Sequence, residues 1–159
     1  MKSILSLALL ALALPAYAAG LADQVGVADA YVRMAPPGTK TTGAFMTLKN
    51  AGDKEVKLVT AASSSAGVTE LHNHINDGGV MRMRQVKEIA VPAKGEVALK
   101  PGSYHVMLID MKAPLKEGDH VMINLGFADG SSKEVHATVK KPMAEMPAKG
   151  MDHGAMHKH

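Results

Sequence analysis

Val68-Thr69-Glu70-Leu71-His72-Asn73-His74-Ile75-Asn76-Asp77-Gly78-Gly79-Val80-Met81-Arg82-Met83-Arg84-Gln85-Val86 reads as two β-strands about a tight turn. Val68 to Ile75 and Val80 to Val86 are short runs with β-branched residues. Asn76-Asp77-Gly78-Gly79 between them supplies the residue types that tolerate hairpin-loop backbone angles. No 3.6-residue apolar period runs through the stretch, which argues against a helix. A turn centred symmetrically on Asp77-Gly78 places His72 opposite Met83 and His74 opposite Met81, whether its loop has two residues or four; a bulge would break this register.

The same grammar extends outward in both directions. Upstream, Gly20 to Gly26 is a short lead-in. Val27 to Met34 then ends at Pro36-Pro37-Gly38, Gly43 to Lys49 ends at Asn50-Ala51-Gly52-Asp53, and Glu55 to Ala61 follows. Downstream come Glu88 to Val91, Glu96 to Leu99 before Pro101-Gly102-Ser103, Tyr104 to Asp110, and a final hairpin of His120 to Phe127 and Lys133 to Val139 around Asp129-Gly130. About nine or ten short strands without helices predict an all-β sandwich or barrel, with an α+β domain as the alternative.

The two ends differ from this middle. Lys2, the apolar run Ile4 to Leu14, Pro15 and the small-x-small site Ala16-Tyr17-Ala18 make residues 1–18 a cleavable secretory signal peptide, the run being too short to span a bilayer. The sequence therefore predicts an exported chain with a β-sandwich domain over 19–140. Residues 141–159 form a flexible tail without β-branched or aromatic residues, rich in Met and His and unable to build a core. No later stretch is long and apolar enough for a membrane span.

Composition removes several function classes. The chain has no Cys and no Trp, 3% aromatic residues, 12 Met and 8 His. Without the signal its net charge is about +2 and scattered, and base-stacking platforms are scarce, so nucleic-acid binding is not expected. Zero Cys excludes a thiolate nucleophile, disulfide exchange and a Cys-ligated blue copper centre. Met without Cys leaves thioether and imidazole as the soft and borderline metal donors. Met34, Met46, Met111 and Met122 read as core fillers, and His120 and His136 as surface groups. His105 and Met107, two apart on one strand, share a face. With His72 and Met83 they could surround one ion. Two imidazoles and two thioethers form a neutral shell suited to Cu(I) rather than to Zn(II), Mg(II) or Ca(II).

The spacing His72, ten residues, Met83, twenty-one residues, His105, one residue, Met107 is similar to the H-x10-M-x21-H-x-M signature of the PCu(A)C family of periplasmic copper chaperones. The surrounding words resemble that family too: Asp29-Ala30-Tyr31-Val32-Arg33, Thr42-Gly43-Ala44-Phe45, Glu70-Leu71-His72, Gly79-Val80-Met81-Arg82-Met83-Arg84, Pro101-Gly102-Ser103-Tyr104-His105-Val106-Met107-Leu108 and Pro114-Leu115-Lys116-Glu117-Gly118-Asp119. The resemblance covers roughly Val25 to Val139. It implies a cupredoxin-like Greek-key β-sandwich or barrel, here lacking the cupredoxin cysteine. It implies Cu(I) held by His72, Met83, His105 and Met107. It also implies a monomeric periplasmic carrier supplying copper toward the Cu(A) site of cytochrome c oxidase, with an oxidase subunit and a Sco-type protein as partners. His74 stands where many relatives have Met, and it and Met81 are read as neighbours of the site.

Some family members carry a Met/His-rich C-terminal extension that holds a second copper. Met143, Met146, Met151, His153, Met156, His157 and His159 are the candidates here, the imidazoles suiting Cu(II). Three alternatives stand beside the carrier: a periplasmic copper buffer, a copper enzyme and a structural sandwich module. The enzyme reading is disfavoured because four neutral donors leave no open position for substrate, and the structural module because it gives the spacing no purpose.

Overall fold

The computed structural model describes residues 20–142. It contains one short helix, α1 (Leu21–Gln24), and ten strands: β1 (Val25–Arg33), β2 (Thr42–Asn50), β3 (Val56–Ala62), β4 (Ala66–Asp77), β5 (Val80–Gln85), β6 (Ile89–Val91), β7 (Glu96–Leu99), β8 (His105–Met111), β9 (His120–Phe127) and β10 (Ser132–Lys140). Each strand expected from the sequence is present, with ends moved by no more than two residues. The lead-in differs, because its last part is the one-turn helix α1. Asp23 Oδ2 accepts from the Gly20 amide at 3.0 Å, and Asp129 Oδ2 accepts from the Leu21 amide at 2.8 Å. Asp129 thus anchors the helix to the last hairpin, while Asp23 closes the helix's own first turn.

Hydrogen bonding follows the order β5-β4-β8-β2-β1-β10-β9-β3-β6, with β7 also paired to β2. β8 pairs with the first residues of β2 and β7 with its later ones. Every pair is antiparallel except β1–β10. The path curls until β3 lies beside β4 and β6 beside β7, which closes a cupredoxin-like sandwich around one core.

The period of two explains the core. On β9, Val121, Ile123, Leu125 and Phe127 point inward, while His120, Met122 and Asn124 face out. Leu48, Leu58, Ile89, Val106 and Leu108 join them at 0% exposure, and Met46 and Met111 are buried with them, as expected. Met122 is the exception: its alternating position sends it outward, where it is 44% exposed, so it fills no core space. His120 and His136 are exposed, in keeping with a surface role. Among the described residues no helix is long and apolar enough to cross a membrane.

Candidate metal centre

The site grows from the outer face of β4, β8 and β2. Leu71, Val106 and Ala44 on these strands point into the core, so alternation turns Glu70, His72 and His74, His105 and Met107, and Gly43 and Phe45 away from it. Strand register then arranges the donors in rows. His72 lies opposite His105 on one side and Gln85 on the other. One row toward the hairpin tip, His74 lies opposite Met83. One row the other way, Met107 lies between Glu70 and Gly43.

This register corrects the sequence-based pairing of His72 with Met83 and His74 with Met81. The loop is Gly78-Gly79 alone, closed by the pair Asp77↔Val80. Both glycines have positive φ, 61° and 86°, as a two-residue turn of type I′ requires at both central positions. A two-residue turn on Asp77-Gly78 would instead have put Asp77 at a positive φ, which Asp tolerates but Gly adopts more freely. Asn76 Oδ1 accepts from the Gly79 amide at 2.8 Å and holds the loop. The shift moves each partner by two residues, so faces are kept while neighbours change: His74 gains Met83, and Met81 moves out opposite Asn76.

Three imidazoles therefore meet. The His105 ring lies 5.8 Å from that of His72 and 5.3 Å from that of His74. His105 is 3% exposed although it points away from the core. Phe45 covers its other side at 6.0 Å, backed by Tyr31 at 5.2 Å, with the Arg33 guanidinium 5.3 Å over the Phe45 ring. Phe45 is itself buried but separate from the main core cluster, so it serves the site. Gly43 makes room for it, since a Cβ there would stand 3.0 Å from Phe45 Cζ.

Hydrogen bonds fix which nitrogens are free. His105 Nδ1 donates to Ser103 O at 2.9 Å, leaving the Nε2 lone pair open. His72 Nε2 donates to Glu70 Oε2 at 2.7 Å, leaving Nδ1 as the open nitrogen. His72 Nδ1 and His74 Nδ1 are buried with no hydrogen-bond partner among the described residues. A buried imidazole nitrogen normally finds a partner, and two on rings that both flank His105 mark a place where one is supplied from outside. A carboxylate or carbonyl on the far nitrogen is the arrangement that orients metal-ligating histidines. Burial, more than any other influence, pushes the His105 pKa below the usual histidine value, with His74, His72 and Arg33 adding to the effect and Ser103 opposing it. His105 is thus a neutral donor at neutral pH.

As the side chains stand, no three His, Asp, Glu or Cys donors among the described residues converge to coordinating distance, so capture of an ion requires the rings to turn. Met83 is 42% exposed on the edge strand β5, and Met81 56%. Met107 is half-buried. Met143, Met146, Met151, His153, Met156, His157 and His159 lie outside the described residues, as does the signal segment. The sequence reading missed Phe45, Gly43, Glu70 and Ser103 as supports and set His74 aside. The Gly78-Gly79 pair, taken as a two-residue turn, was the signal that could have placed His74.

Relatives agree with this architecture. The family described as "Putative lipoprotein LpqE-like" matches residues 25–139. "Putative lipoprotein Lxx21020" of Leifsonia xyli is 38% identical over 120 residues, which is 75% of this chain and 71% of that protein. The solution structure of CuI-DR1885 from Deinococcus radiodurans shares 38% identity at a TM-score of 0.61, over 80% of this chain and 83% of that one. The copper-bound PCuAC domain from PmoF2, at 21% identity and a TM-score of 0.64 over 79% of this chain and 97% of that one, shares the fold. The chain belongs to the LpqE-like family of PCu(A)C-type β-sandwich proteins.

Proposed function

We propose that the protein is an exported monomeric carrier of Cu(I), which it holds with His72, Met83, His105 and Met107 and passes on without turnover. The observation that carries this reading is the pair of imidazoles with open nitrogens, His72 and His105 in one row, flanked by Met83 on one side and Met107 on the other. Rows on one face of a sheet are about 7 Å apart, a span that a methionine side chain and one metal–sulfur bond can bridge. Two thioethers and two neutral imidazoles suit a soft monovalent ion and leave no vacant position for a substrate. Cys-free coordination also suits an oxidising compartment, where free thiols would pair.

The arrangement favours hand-over. His105 is buried and oriented by Ser103 and Phe45, while Met83 stands exposed on an edge strand. An acceptor can displace the exposed thioether first and then draw the ion from the deeper ligands. The destination we assign is the Cu(A) site of cytochrome c oxidase, reached in the periplasm with a Sco-type protein. The Met/His-rich tail is a second copper-binding segment, taking Cu(II).

Titration of the full chain with Cu(I) against a chromophoric chelator tests the site. One equivalent bound tightly, and lost in the H105A/M107A double variant, is the expected result; unchanged uptake by that variant refutes the ligand assignment. For the destination, a deletion strain should lose oxidase activity at low copper. Sensitivity at high copper with normal oxidase activity would instead mark a storage protein.

A further inference from the structure

His74 is not needed for the Cu(I) set, yet it stands closer to His105 than His72 does, at 5.3 Å between ring centroids against 5.8 Å. We infer that His72, His74 and His105 together give this site a second coordination mode, a three-imidazole set for Cu(II). The inference rests on reading the patch as a copper site and goes beyond the ligand set assigned above.

Two imidazoles that share one first-row metal ion at about 2.0 Å have ring centroids about 4.5 to 5.2 Å apart, for angles from square to tetrahedral. The two distances to His105 exceed that range only slightly. As they stand the three rings do not converge to coordinating distance, so the partly buried His72 and His74 rings must turn toward a His105 ring held by Ser103. Both His72 and His74 also hold a buried Nδ1 without a partner among the described residues. The Cu(I) set uses only one of these nitrogens, and the second is unexplained until His74 also becomes a ligand.

The donor chemistry separates the two modes. Cu(II) favours imidazole nitrogen, whereas thioether sulfur favours Cu(I). His74 faces Met83 directly across the hairpin. A Cu(II) ion therefore sits toward the three imidazoles, and a Cu(I) ion uses the flanking sulfurs. No electron transfer is part of the inference; each ion binds in the oxidation state in which it arrives.

The test uses the full chain with His153, His157 and His159 replaced by alanine, so that tail imidazoles do not compete for added copper(II) sulfate. Electron paramagnetic resonance with spin-echo modulation counts coordinated imidazoles, and competition titrations give both affinities. The parent should show three imidazoles. His74→Met and His74→Gln should show two, with Cu(II) affinity lower by about tenfold or more and Cu(I) affinity within about threefold. Unchanged imidazole count and Cu(II) affinity in both variants overturns the inference, and so does parallel loss of both affinities in variants whose apo thermal unfolding matches the parent. A parent chain that takes up no stoichiometric Cu(I) would overturn the Cu(I) carrier reading itself, a result separate from either of these.

Discussion

β8 and β5 each carry part of the candidate site and are built in opposite ways. β8 runs between β4 and β2, with Val106 and Leu108 fully buried and His105 nearly so. β5 is the edge of the sheet, and all six of its residues are exposed. One strand holds its donors with neighbours on both sides; the other presents them to whatever approaches. A carrier needs both properties: a rigid half gives affinity and ligand geometry, and an open half gives an exit.

The contrast should be plainest in copper binding. His105→Ala should reduce Cu(I) affinity at least about a hundredfold, because it removes the oriented ligand, whereas Met83→Ala should weaken binding by about tenfold and chiefly speed release to a chelator. Stopped-flow transfer rates check this, and equal effects on release would erase the distinction between the halves. Stability should divide in the same direction. Leu108→Ala should cost about 2–5 kcal/mol, and Met83→Ala less than about 0.5 kcal/mol, both read from urea unfolding. Gly43→Ala lies between, at about 1–3 kcal/mol, because its methyl meets the Phe45 ring; it should also shift the His105 ring resonances in NMR spectra.

Acidity gives a smaller test of the rigid half. Burial lowers the pKa of His105 in the folded chain below the ordinary histidine value of about 6.5, so the unfolded chain takes up this proton first as pH falls. Stability contributed here is present above about pH 6.5 and declines through the window down to the folded pKa. His105→Gln should flatten that slope in thermal melts across pH 5–7. The mildest probe is limited peroxide. In the metal-free chain, Met83 and Met81 should be oxidised to sulfoxide well before Met46, which is 2% exposed. Peptide mass spectrometry reads the order.

The same two strands show what could be read in the chain beforehand. β8 was legible because strict alternation from His105 to Leu108 puts donors on one face and Val106 and Leu108 on the other, with no turn involved. Strand positions elsewhere were legible for the same reason, Gly and Pro clusters bounding each run. The pairing of β5 was not, because Asn76-Asp77-Gly78-Gly79 admits more than one turn: Asp77-Gly78 and Gly78-Gly79 both suit positive-φ positions, and the fold takes the second. His74 became a neighbour of Met83 through that choice. Met122 misled because methionine is apolar, while its even-numbered place among Val121, Ile123 and Leu125 faces solvent. Phe45 and Gly43 escaped notice because their task is long-range in sequence, a β2 ring laid over a histidine of the neighbouring strand β8.

Copper K-edge X-ray absorption on the Cu(I)-loaded full chain, beside a chain cut after Lys141, tests the central assignment most directly. The cut chain should retain one copper with two sulfur and two nitrogen scatterers, at distances typical of thioether and imidazole. A shell of nitrogen and oxygen alone, or loss of all bound copper with the tail, would contradict it.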